Sequence, residues 1–192
     1  MTPIMARKPQ RRAAPNKSKQ GDTIHATCIA FGARGVLLLG PSGSGKSDLA
    51  LRAVLQEGAK LVADDRVRLT RRGEGLVAAA PPEARAAGLL GAIEAYGLGI
   101  LRLPPVRRRA QVSLCLAVAL VPPGEVERLP GDWHGAGLDN SEKSEGFERL
   151  GVALPLLRLA PFEVSAALKL RLALHNLRLA EGGRSGSIKR LA

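Results

Sequence analysis

A chain of 192 residues, 45% of them hydrophobic, is long enough to bury one domain-sized core. Its aromatic content of 3% leaves that core to Leu, Val and Ala. Two distant cysteines, Cys28 and Cys115, exclude a disulfide framework and a zinc pattern, and point to a reducing cytoplasm. No apolar run reaches the length of a membrane span, and no apolar stretch near the start reads as a secretory signal.

The formal net charge is +12, and Arg7, Lys8, Arg11, Arg12, Lys17 and Lys19 supply six of those charges with no acidic residue among them. With Pro3, Pro9 and Pro15 interspersed, residues 1–22 read as a disordered basic arm. A solvated extension is the expectation; a tether to nucleic acid or a membrane surface is the functional alternative. Neither nucleic acid nor membrane is expected as a partner.

Ordered structure is expected over 23–181, as one catalytic domain, with a flexible tail over 182–192. Ile24 to Phe31 reads as a strand, followed by a turn over Gly32-Ala33-Arg34-Gly35. Val36 to Leu39 reads as a buried strand. It runs into Gly40-Pro41-Ser42-Gly43-Ser44-Gly45-Lys46-Ser47, which fits Gly, four residues, then Gly-Lys-Ser/Thr. Asp48 to Glu57 reads as a helix closed by Gly58. Strand, glycine-rich loop and helix in this order make a phosphate cradle. Backbone N–H groups and the helix N-terminus face the phosphate oxygens. Lys46 reaches the β- and γ-phosphates, and the Ser47 hydroxyl ligates Mg²⁺.

Lys60 to Ala63 is a short strand ending in Asp64-Asp65. Arg66 to Arg71 alternates basic and apolar residues as a half-exposed strand, turns at Arg72-Gly73-Glu74-Gly75 and returns as Leu76 to Ala80. Pro81-Pro82 breaks the chain before a short helix around Glu83 to Leu89. Glu94 to Leu103 is apolar, interrupted by Gly97 and Gly99 and stopped by Pro104-Pro105. Arg107 to Val121 carries the strongest strand, Pro122 to Gly146 reads as a mobile loop, and Val152 to Leu159 as a late strand. Pro161 to Ala180 is the clearest helix, with Pro161 in its first turn. Strands and hairpins dominate after the first helix. The fold class is therefore α/β, with a mixed, partly antiparallel sheet and flanking helices.

Phosphoryl transfer needs a metal-binding acid, a cationic clamp and a group that orients or deprotonates the nucleophile. Asp64-Asp65 ends a strand close after the loop's helix, so one carboxylate can face Mg²⁺ and the other the nucleophile. Glu94 is the next acidic candidate, with a surface carboxylate at a glycine turn as the even alternative. His25 and Arg149 carry little weight alone, and Trp133 and His134 are assigned nothing. Arg171, His175 and Arg178 form a basic stripe on the last helix, and Leu170, Leu174 and Leu177 supply its apolar face. A solvated face is its expected role and a partner surface the alternative.

Together these residues resemble the catalytic domain of the HPr kinase/phosphorylase family. The resemblance rests on His25 in Ile24-His25-Ala26-Thr27, the glycine-rich loop, and Val62-Ala63-Asp64-Asp65. It rests also on Glu94-Ala95-Tyr96-Gly97-Leu98-Gly99-Ile100 and Phe147-Glu148-Arg149-Leu150-Gly151. It implies an HPr kinase/PEP carboxykinase-like domain in a cytoplasmic homohexamer. Using ATP and Mg²⁺, such an enzyme phosphorylates a serine of HPr or a nitrogen-system homologue, and reverses this by phosphorolysis. By position it implies that His25, Lys46, Asp65 and Arg149 are active-site residues. Asp65 exchanges the serine proton, and Ser47 and Glu94 ligate magnesium, with Asp64 as their neighbour.

Two departures fall on the phosphorolysis side. Tyr96 stands where the family signature has Arg, and Pro155-Leu156-Leu157-Arg158-Leu159 replaces Pro-Val-Lys-Pro-Gly-Arg. The family's additional N-terminal domain has no counterpart in the short arm, as expected of a catalytic-domain-only form. A small-molecule kinase and a non-catalytic nucleotide sensor are the alternative functions.

Overall fold

The computed structural model describes residues 21–128 and 146–182, with side chains up to Leu177 in the last helix. Trp133, His134, the Arg178 side chain, the arm up to residue 20 and the tail from 183 lie outside the described residues. Twelve strands and three α-helices follow one another in the described chain. They are β1 Gly21–His25, β2 Thr27–Phe31, β3 Arg34–Leu39, α1 Lys46–Gln56, β4 Lys60–Ala63, β5 Arg66–Arg72 and β6 Gly75–Ala79. Next come α2 Pro82–Ala86, β7 Ala92–Ala95, β8 Gly99–Arg102 and β9 Gln111–Leu120. The last are β10 Phe147–Arg149, β11 Val152–Leu154, β12 Leu156–Leu159 and α3 Ala166–Gly182.

Eight strands form one sheet in the order β1-β5-β6-β9-β3-β2-β4, with β12 also on β9. The long β9 is its axis. β3 runs parallel along one edge; β6 pairs antiparallel with its first half, and β12 parallel with its second. The sheet is therefore mixed, as the strand-rich sequence predicts.

Register brings the functional segments to one end. β3, β9 and β12 are parallel, and Leu39 pairs with Ala119 while Leu159 pairs with Leu120. Their carboxyl ends emerge together. β2 is antiparallel to β3, with Thr27 opposite Leu38, so it begins at that end. β4 is antiparallel to β2, with Ala63 opposite Cys28, so it finishes there. Gly40 after β3, Asp64 after β4 and Thr27 opening β2 therefore converge, where open α/β sheets bind ligands.

The two faces of the sheet carry different cores. On one, Leu49, Ala53 and Val54 of α1 and Leu170, Leu174 and Leu177 of α3 bury against Ile29, Val36, Leu38, Leu116 and Val118. On the other, Cys28, Leu37, Val67, Leu69 and Leu76 meet Val152 and Leu154 of β11. Both cysteines are free, and burial pushes the Cys28 thiol far above its ordinary value. Aliphatic side chains build both cores, as the composition requires.

Several boundaries differ from the sequence expectation: β1 takes in Gly21 and Asp22, which the arm 1–22 was expected to include, β3 starts at Arg34 inside the expected turn, and three further differences have a clear physical reason. The apolar run 24–31 is two strands, because the chain changes partners at Ala26: His25 pairs with Arg66, whereas Thr27 pairs with Leu38. The run 152–159 is likewise divided at Pro155, between a ribbon with β10 and a strand on β9. Pro155 has no N–H for a ladder, but its carbonyl accepts from Ala117 N at 2.9 Å. The last helix begins at Ala166 rather than Pro161. Arg52 of α1 donates to the Pro161 and Glu163 carbonyls and keeps 161–165 as a turn. No helix among the described residues is long and apolar enough to cross a membrane.

Candidate functional site

The loop between β3 and α1 takes the conformation that its glycines permit. Gly40, Gly43 and Gly45 have φ of 153°, 77° and 85°. A side chain there would be strained, and at Gly40 its Cβ would lie 2.5 Å from Ser44 Oγ. Lys46 opens α1 and folds back over the loop, where Nζ donates to the Gly40 and Pro41 carbonyls at 2.8 and 2.7 Å. It is only 6% exposed. Burial pulls its amine below the usual lysine value, while the Asp64 and Asp65 carboxylates push the other way.

Asp64 is the hub. Its Oδ1 accepts from Ser47 Oγ at 2.9 Å and from the fully buried Thr27 Oγ1 at 2.6 Å. Its Oδ2 accepts from the Glu94 backbone N–H at 3.1 Å. One carboxylate thus joins β2, α1, the β4–β5 turn and the β7–β8 hairpin. Glu94 itself has an exposed side chain beside this hub.

Asp65 occupies a strained turn. Arg66 N donates to the Asp64 carbonyl at 2.7 Å, closing a three-residue turn around Asp65, whose φ is 63°. Left-handed backbone is uncommon outside glycine, though Asp tolerates it best with Asn, and such strain gathers at functional sites. The turn exposes the Asp65 carboxylate, with Oδ1 3.1 Å from His25 Nδ1. The Asp65 carbonyl accepts from Ala26 N at 3.2 Å, so the β1–β2 junction holds the turn from behind.

The structure therefore gathers His25, Lys46, Ser47, Asp64, Asp65 and Glu94 at one end of the sheet. Arg149 is placed differently. On β10, its Nε lies 3.7 Å from Asp22 Oδ2 of β1, and its guanidinium lies over the Phe147 ring at 5.8 Å. It approaches the rim of β1 rather than Lys46. The stripe on α3 is divided: Arg171 bonds Glu57 at 3.2 Å, while His175 is exposed.

Sequence reasoning missed Thr27 and understated Asp64. Thr27 had a signal, a hydroxyl in an apolar strand two residues after His25, but its partner lies 37 positions away. The hard oxygens of Ser47, Asp64 and Glu94 suit Mg²⁺, which commonly takes one or two carboxylates and fills its shell with water and phosphate.

Residues 16–127 match the family described as HPr Serine kinase C-terminal domain. An HPr kinase/phosphorylase of Streptococcus thermophilus is 34% identical over 143 residues, which are 71% of this chain and 41% of that protein. One from Burkholderia lata is 38% identical over 115 residues, 56% of this chain and 34% of that protein. The chain thus spans less than half the length of these relatives. Among solved structures, the Hpr(Ser) kinase/phosphatase from Coxiella burnetii superposes with a TM-score of 0.65 at 25% identity, covering 84% of this chain and 93% of that one. The family match takes in the phosphate loop, the paired aspartates and Glu94, the segments that the fold brings together, and the chain belongs to the HPr serine kinase C-terminal domain family.

Proposed function

We propose that this chain is an ATP-dependent protein-serine kinase whose substrate is an HPr-like phosphocarrier protein. The observation that carries the proposal is the Asp64-Asp65 turn beside the phosphate loop: Asp64 bonds Ser47 at 2.9 Å, and Asp65, paired with His25, is exposed where a substrate hydroxyl can meet it. The names of the relatives, HPr kinase/phosphorylase, support the substrate class.

In this reading the loop amides and Lys46 hold the nucleotide phosphates. Ser47, Asp64 and Glu94 would hold Mg²⁺, which when bound neutralises charge on the phosphate oxygens. Asp65 accepts the proton of the serine hydroxyl as its oxygen bonds the γ-phosphorus. The bond between that phosphorus and the bridging oxygen breaks, and ADP leaves with the electron pair. His25, paired with Asp65, orients the carboxylate. Arg149 assists from the rim once its side chain exchanges Asp22 for phosphate. The catalytic unit spans 23–181, works in the cytoplasm and assembles as a hexamer.

Incubation with HPr and γ-labelled ATP tests this directly. Label on one HPr serine, abolished by Lys46→Met, is the expected result. Label on a small metabolite, or tight ATP binding without transfer, would overturn it. Phosphorolysis is tested with phosphoserine-HPr and inorganic phosphate, reading the release of pyrophosphate.

A further inference from the structure

Beside the phosphate loop lies a cavity of about 250 Å³, lined by Asp48, Arg52, Gln56, Phe162 and Val164. We infer that this cavity is the nucleobase cleft of the nucleotide site, with Phe162 as its stacking platform. The inference rests on the nucleotide use proposed above and adds where the base goes and what holds it.

Position is the first argument. A Cβ on Gly45 would lie 2.9 Å from Phe162 Cζ and 3.2 Å from Pro161 Cβ, so the ring sits against the last glycine of the loop. Asp48 follows the Lys46-Ser47 pair directly, and Arg52 and Gln56 continue the same face of α1. The cavity thus begins where the phosphates end. It is smaller than the ~300–1,000 Å³ of pockets that enclose whole drug-sized ligands. It takes the flat end of a nucleotide while the phosphates lie outside it on the loop.

Chemistry is the second. Phe162 is 70% exposed although its backbone is held in place. Arg52 does the holding: Nη1 donates to the Glu163 carbonyl at 3.1 Å, Nη2 to the Pro161 carbonyl, and Nε to Asp48 Oδ2 at 3.0 Å. These bonds pin the guanidinium at the cavity wall, where the Arg52 side chain stays 21% exposed. An aromatic ring and a pinned guanidinium are surfaces on which heteroaromatic bases stack. Gln56 and the exposed Val164 also line the cavity and add a polar and an apolar side chain to its rim. A packing role alone explains Phe162 poorly, since a buried neighbour would cover more of the ring.

The test compares ATP with inorganic tripolyphosphate, which has the phosphates and no base. Both are titrated calorimetrically, with magnesium, into the full chain and its Phe162→Ala and Phe162→Tyr variants. Wild type should bind ATP more tightly than tripolyphosphate. Phe162→Ala should weaken ATP about tenfold or more and leave tripolyphosphate within about twofold, and Phe162→Tyr should restore ATP binding. Unchanged ATP affinity in Phe162→Ala, or equal loss for both ligands, would overturn the cleft. So would a wild type that binds ATP no tighter than tripolyphosphate. A wild type that binds neither overturns the nucleotide reading itself, and the cleft with it.

Discussion

Asp65 and Asp64 are adjacent yet held in opposite ways, and substitutions should separate them. Asp65→Asn keeps the left-handed turn, which Asn tolerates, and removes the proposed proton acceptor. Phosphoryl transfer to HPr should fall by about 10²-fold or more, with ATP affinity within a few-fold of wild type. Single-turnover transfer and calorimetry measure the two quantities. Thr27→Val retains shape but removes the 2.6 Å bond to Asp64. Because that bond ends on a charged group, stability should drop by about 1.5–3 kcal/mol in urea unfolding. The Mg²⁺ concentration for half-maximal rate should rise. Lys46 adds a pH dependence. Its amine is lowered in the folded state by burial from the usual 10.5, so between that lowered value and 10.5 the unfolded chain holds a proton that the folded protein has released. Stability contributed by this group therefore rises with pH across that interval. The difference in unfolding free energy between wild type and Lys46→Met, followed against pH, should show the rise. The phosphate loop was legible because its chemistry is local: eight consecutive residues and two flanking elements. Thr27 was not, because its role depends on a strand register that no spacing records. Nor was the Asp22 partner of Arg149.

At the level of elements, alternation and turn residues found the strands of the large sheet but not their neighbours, and left β7, β8 and β10 unread. The run from Ile24 to Phe31 has one apolar pattern and two sets of partners, and only the sheet shows the exchange at Ala26. The helix start was misread for a related reason. Pro161 suits a first turn, but the competing bonds from Arg52 lie 109 and 111 positions away. The apolar face of α3 was read correctly. Leu170 is fully buried against the sheet and α1, so Leu170→Ala should cost about 2–5 kcal/mol in chemical denaturation. Gly45→Ala tests the loop: it would force a side chain at φ 85° against Phe162 and should impair nucleotide binding while leaving most of the core intact.

For the whole molecule, the core side chains named above all belong to the described residues. Removing residues 1–20 takes away six positive charges and none of those core side chains. Unfolding free energy should stay within about 0.5 kcal/mol of the full chain, as changes remote from packing usually do. Equilibrium urea titration of the shortened protein checks this. Light scattering would test the proposed hexamer. The mixed sheet was legible from the excess of strands over helices, but the branching of β9 between β6 and β12 was not, since both pairings lie far apart in sequence.

The Asp64 hub bears on the order of folding. Its three hydrogen-bond donors lie 17, 30 and 37 positions from it, and none belongs to its own strand. Such contacts close late, since each long loop must lose its freedom before the contact rewards it. A partly folded chain can therefore form the phosphate loop and its helix while still lacking an ordered acid beside them. Competence for transfer should appear in the final kinetic phase of refolding, after most helical signal has returned. A nascent chain would then be unable to phosphorylate anything until its sheet had closed.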